Sequence, residues 1–155
     1  MKTYSLHELK NELQELPPSE LLELCIKLAK YKKDNKEFLA YCLFEAGNKP
    51  AFMNEIKTEI DEHIRALQSQ SNAYYAKKGL RKLLRILSRY SKYINDKALS
   101  AEMLIYLCLQ LKQSGIAYVL AKIYEQQLKK INALLITLHE DLRQDYLSDL
   151  EKISV

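Results

Sequence analysis

The sequence predicts an all-α protein of six to eight helices, and three observations carry that prediction. Only 3 Gly and 3 Pro occur in 155 residues, whereas a β-rich fold needs turn residues roughly every ten positions. Apolar residues return every three or four positions from Leu6 to Ile153, the spacing that gives a helix one apolar face. A content of 48% apolar and 28% charged residues is that of a folded chain, long enough to bury a core without disulfides or metal. A single helical domain over residues 1–155 is therefore expected.

The elements follow from local signals. Ser5-Leu6-His7-Glu8 fits a capping box, and Leu6, Leu9, Leu13 and Leu16 continue at helical spacing. Pro17-Pro18 ends that helix, because neither residue donates a backbone hydrogen bond. Ser19 can cap a second helix with Leu21, Leu22, Cys25, Leu28 and Ala29 on its apolar face. Asp34-Asn35-Lys36-Glu37 offers another capping box, opening a third helix through Phe38, Leu39, Tyr41, Cys42 and Phe44. Gly47 supplies a stop, and Pro50 suits the first turn of a fourth helix carrying Phe52, Ile56, Ile60, Ile64 and Leu67.

The polar run from Gln68 to Asn72 separates this helix from a fifth, over roughly Ala73 to Ile94. Asn95-Asp96 turns the chain into a sixth, with Leu99, Met103, Leu104, Tyr106, Leu107 and Leu111 inward and an end at Gly115. From Ile116 to Ile153 the apolar steps permit one very long helix, or two divided near His139 to Asp141.

Connections this short make sequential helices antiparallel neighbours. Lys27 to Gly47 also echoes Arg89 to Gly115: each runs Lys-Tyr, a turn with Asp, a Leu/Tyr/Cys helix, then Gly. A true repeat would stack helical hairpins into an α-solenoid of the HEAT kind, and an irregular helical bundle is the alternative. Tyr31, Tyr41, Tyr106, Tyr118 and Tyr124 keep the apolar spacing and read as core or half-buried packing.

Cys25, Cys42 and Cys108 are odd in number, widely spaced and set within apolar patterns. They read as small buried hydrophobes in a reducing compartment. The opening MKTYSLHELKNELQEL carries charges where a signal peptide needs an apolar run, and no stretch reaches the roughly 20 apolar residues of a membrane span. A cytoplasmic location is expected.

Charge is the least ordinary feature. No acidic residue lies between His63 and Asp96, yet that segment holds Arg65, Lys77, Lys78, Arg81, Lys82, Arg85, Arg89 and Lys92. Removing these 8 from the 24 Lys and Arg leaves 16 against all 20 Asp and Glu. The formal +4 thus hides a segment worth +8 on a body worth −4. On a helix Lys78, Lys82, Arg85, Arg89 and Lys92 share one face, Arg81 flanks them, and Leu80, Leu83, Leu84, Leu87 and Ile94 lie opposite. Like charges at i, i+4 repel. The stripe is neutralised either by the Glu-rich helices near Glu8 to Glu23 and Glu55 to Glu62 or by something in solution: a solvated or internally paired face is the plain reading, and a footprint for a polyanion is the functional one. Lysine and arginine along a helix can track a phosphate backbone, and Tyr74, Tyr75, Tyr90 and Tyr93 near its ends can stack on unpaired bases.

Signals of catalysis or metal binding are weak. Glu55, Glu59 and His63 share a helix face, but each of His7, His63 and His139 lacks the Glu three residues earlier that a di-iron bundle uses. His139-Glu140-Asp141 reads as a helix end. Phosphate loops, nucleophile elbows and catalytic Cys/His spacings are missing from the sequence. No catalytic residue, metal or cofactor is expected, and enzymatic function is disfavoured.

The block Leu16 to Gly47 (LPPSELLELCIKLAKYKKDNKEFLAYCLFEAG) resembles the opening of uncharacterised, small, all-helical bacterial proteins classed as domains of unknown function. The likeness covers about the first third of the chain and rests on a helical-hairpin pattern. It implies a bacterial helical protein and transfers no site residue. The function expected is non-catalytic macromolecular interaction through the basic face of Lys78, Arg81, Lys82, Arg85, Arg89 and Lys92, toward an acidic protein or polyanion. Binding to RNA or DNA phosphates is one alternative. A structural homodimer paired through the C-terminal helix is another.

Overall fold

The computed structural model describes residues 2–70 and 72–154. All regular structure among them is helical: nine α-helices and one π turn. The chain divides after Phe44 into two compact units.

The first unit holds α1 (Leu6–Glu15), α2 (Pro18–Tyr31) and α3 (Lys33–Ala40). Its opening capping box forms as the sequence demands: Ser5 Oγ accepts from the Glu8 amide, and the Glu8 carboxylate accepts from the Ser5 amide at 2.7 Å. These bonds to the charged form hold the exposed Glu8 carboxyl below its ordinary range. Two other caps differ from expectation. Pro17 rather than Ser19 is the cap of α2, with Pro18 in the first turn, where its missing N–H is harmless. The third helix starts at Lys33 without a side-chain cap, and Asn35 instead donates to the Leu28 carbonyl at 2.8 Å, tying α3 back to α2. Helices α2 and α3 pack on each other.

Burial in this unit is thin. Tyr41 is the one buried residue described within it, while Leu6 stays 86% exposed and Leu22, Leu28 and Phe38 are also exposed. Cys25 and Cys42 are exposed too, contrary to their reading as buried hydrophobes. Their apolar helix face is short of partners, so apolar spacing did not produce burial. Tyr31 is likewise exposed. A π turn, Tyr41–Glu45, leads out of α3.

The second unit holds α4 (Lys49–Gln68), α5 (Ala73–Ile94), α6 (Lys97–Gln113), α7 (Ile116–Val119), α8 (Ala121–Ile136) and α9 (Glu140–Ile153). Asn48 caps α4 through the Ala51 amide, with Pro50 in the first turn. Asn72 caps α5 through the Tyr74 amide. Asp96 Oδ1 accepts from the Ala98 and Leu99 amides and starts α6, one residue after Asn95 reverses the chain at φ 47°. Gly115, at φ 75°, ends α6 in the left-handed region that favours glycine.

Helix α6 is the hub, packing against α4, α5, α7, α8 and α9. Ala101, Met103, Leu104, Ile105, Leu107, Cys108 and Leu111 are all buried, on nearly every side of it. A helix apolar all round belongs in the middle of a bundle, and that is the architecture of this unit. The two halves of the Lys27–Gly47 echo differ in environment: Asp96 caps α6 whereas α3 starts without a side-chain cap, and Cys108 is buried whereas Cys42 is exposed.

Residues 116–153 form neither one helix nor two. They break at Leu120 (φ −117°, ψ 37°) and again at His139. The second break was foreseen. The first was masked because Ile116, Leu120 and Tyr124 keep the apolar step across it and are all buried. Tyr118 lies on the far side of α7 and is exposed, against its reading as packing. No helix among the described residues is long and apolar enough to cross a membrane.

Candidate basic interaction face

The basic face is built by α5, whose 22 residues span Ala73–Ile94 as expected. Ala76, Leu80, Leu83, Leu87 and Ile94 are buried, so the helix is locked by one apolar side, mainly against α4 and α6. The opposite side is thereby turned to solvent. Lys78, Arg81, Lys82, Arg85 and Lys92 are all exposed, and Arg89 is half-buried. From Lys78 to Lys92 the stripe runs fourteen residues, about 21 Å at a helix's rise per residue.

Glu59, Asp61, Glu102 and Asp96 take partners other than the cations of the stripe. Tyr90 donates to Glu59 Oε2 at 2.8 Å, and Tyr106 donates to both Asp61 oxygens at 2.9 Å. Burial first, and then Asp61, push the Tyr106 phenol above its ordinary value. Glu102 takes Lys57 at 2.7 Å, and Asp96 takes Lys49 at 3.4 Å. Lys78, Arg81, Lys82, Arg85 and Lys92 form no ion pair with any described residue. Arg89 differs, being half-buried with an interaction of its own. Neutralisation by the carboxylates of α4, one of the two ways to settle the stripe, does not occur at Glu59 or Asp61.

The four tyrosines separate into two pairs. Tyr90 stacks edge-on against Phe52 at 5.6 Å and lies 6.3 Å from Tyr93, both of them half-buried. Tyr74 and Tyr75 are 66% and 56% exposed and meet edge-to-face at 5.4 Å at the start of α5. Tyr74, Lys77, Lys78, Arg81, Leu84 and Arg85 line a shallow groove along the helix. Lys77 lies outside the expected face, and its signal is its place among the eight cations between His63 and Asp96 rather than its helical angle.

The metal alternative finds little support in geometry. His63 Nδ1 sits 3.0 Å from the Glu59 carbonyl, and the Glu59 carboxylate holds Tyr90. No cluster of three His, Cys, Asp or Glu suited to a metal occurs among the described residues. His139 Nδ1 lies 3.6 Å from Asp141 on an exposed helix start.

The resemblance of Leu16 to Gly47 to small all-helical proteins agrees with the fold and brings no family with it: no protein-family model, curated protein or solved structure matches this chain.

Proposed function

We propose that this protein is a non-catalytic interaction module that captures an acidic macromolecular partner through Lys78, Arg81, Lys82, Arg85, Arg89 and Lys92. One observation carries the reading. Five of these six cations are exposed and make no ion pair with a described residue, although acidic helices pack beside them. A like-charged stripe costs stability that a bound polyanion returns, and such a field steers association and sharpens its salt dependence. The exposed free thiols of Cys25 and Cys42 suit the reducing interior of a cell, and the reading takes the cytoplasm as the location.

Nucleic acid is the second reading, favoured by the exposed Tyr74 and Tyr75 beside the stripe. Aromatic faces next to a cationic track are what unpaired bases and their phosphates need. Titration of the labelled full chain with poly-glutamate, single-stranded RNA and duplex DNA at two salt concentrations tests both. Salt-sensitive binding of any of them supports the module. Preference for single-stranded RNA, lost on Tyr74→Ala, supports the second reading. Absence of binding to all three at low salt removes both.

A further inference from the structure

We propose that the cleft between the first half of α5 and the start of α8 is a phosphate-binding site held by Lys77, Arg81 and Lys122. Lys77 and Arg81 stand one turn apart on α5, and Lys122 and Gln126 one turn apart on α8. All four residues line one cleft of about 250 Å³, together with Val119, Leu120, Ala121 and Ile123. No carboxylate lines it, and none of the three cations pairs with a described residue. Three exposed cations from two helices thus line a space large enough for a phosphate group. Each contact from these cations to a phosphate oxygen is charge-assisted.

The break at Leu120 shapes this cleft. It restarts the helix at Ala121 with no side-chain cap, and the Ala121 and Lys122 amides donate to no described residue. Both residues line the cleft, but the cationic side chains from α5 and α8 are what make the site. Three cations match the three terminal oxygens and the double charge of a phosphomonoester dianion, the chemistry the cleft would recognise, and Gln126 adds an amide donor on the same cleft. Arg81 belongs to both this cleft and the α5 face, whereas Lys122 belongs to the cleft alone, so variants at Lys122 separate this site from the capture proposed above.

The test is a titration of the 15N-labelled full chain with inorganic phosphate, against sodium chloride at matched ionic strength. Saturable amide shifts at Ala121, Lys122 and Ile123 with phosphate alone are expected. Lys122→Ala weakens binding about tenfold or more, the loss of one charge-assisted contact, and Arg81→Gln does the same. Lys82→Glu with Arg85→Glu keeps saturable binding, which separates the cleft from the stripe. Equal shifts with chloride, no saturation, or wild-type affinity in Lys122→Ala overturn the site. A nucleoside monophosphate and phosphatidate vesicles, each competed against inorganic phosphate, distinguish a soluble from a lipid source. Competition by either supports a phosphomonoester site, and competition by neither overturns it.

Discussion

Tyr124 of α8 donates its phenolic proton to the main-chain carbonyl of Ile153 at 2.6 Å, and both residues are buried. Beside it, Lys112 of α6 donates to the carbonyls of Lys152 and Ser154 at 3.0 and 2.8 Å. The last turn of α9 is thus fastened by two side chains from other helices, one of them cationic at the negative end of the helix dipole. Tyr124→Phe leaves a buried carbonyl without its donor and should cost about 1–3 kcal/mol. Ile153→Ala, at a site with no exposure, should cost about 2–5 kcal/mol. Urea unfolding of the two variants checks both values, and wild-type midpoints would contradict the fastening.

Burial pushes the Cys108 thiol up to about 12, so it has almost no thiolate at neutral pH, whereas Cys25 and Cys42 are exposed. A thiol reagent should therefore label two sites quickly in the native protein and a third only after denaturation. Mass spectrometry of alkylated peptides gives the assignment. Rapid labelling of Cys108 in the folded protein would contradict the hub position of α6.

The same groups set an alkaline limit. Cys108 rises from an ordinary 9.0 to about 12, and Tyr124 rises from 10.0 to about 12. Desolvation is the main cause for each, with Cys108 and Tyr118 adding to it at Tyr124. The folded state holds these protons more tightly than the unfolded chain does. Their contribution is complete below the unfolded values and is lost as pH rises through the folded ones. Stability should hold to about pH 9 and decline toward pH 12, and Cys108→Ala should delay the onset. A level profile of unfolding free energy across that window would contradict these burials.

Gly79 sits inside α5, where a β-carbon would collide with Cδ2 of Leu67 on α4. Ala is worth about 1 kcal/mol over Gly in a helix interior, and here the collision opposes that gain. Gly79→Ala should therefore gain less than this in the native protein, because the Leu67 methyl must shift, and gain the full amount of about 1 kcal/mol in a Leu67→Ala background. Identical effects in both backgrounds would refute the close approach of α4 and α5.

Much of this fold was legible in the sequence because its punctuation is local. The Ser5–Glu8 box, Asn95-Asp96 and Gly115 act through backbone dihedrals and adjacent hydrogen bonds, and the periodicity located α5 to the residue. What periodicity hides is whether an apolar face has a partner. Cys25, Cys42, Tyr31 and Tyr118 keep the spacing of buried residues and stay exposed. The turn at Leu120 likewise preserved the apolar step and left no trace in it. At the basic face, the stripe could be read from charge alone. The engagement of Glu59 and Asp61 by tyrosines depends on the packing of α4 against α5 and α6, which no local pattern encodes.

In the proposed function, α5 holds its cations for a partner rather than for the fold. Anisotropy of a labelled polyanion with wild type and with Lys82→Glu/Arg85→Glu, across a salt series, tests it most directly. Arg89 is left unchanged because it is half-buried and has its own partner. The account predicts at least about a tenfold loss of affinity, a shallower dependence of log K on log salt and an unchanged thermal midpoint. Equal affinity and slope for the two proteins, or a variant that binds weakly only because it has unfolded, would contradict it.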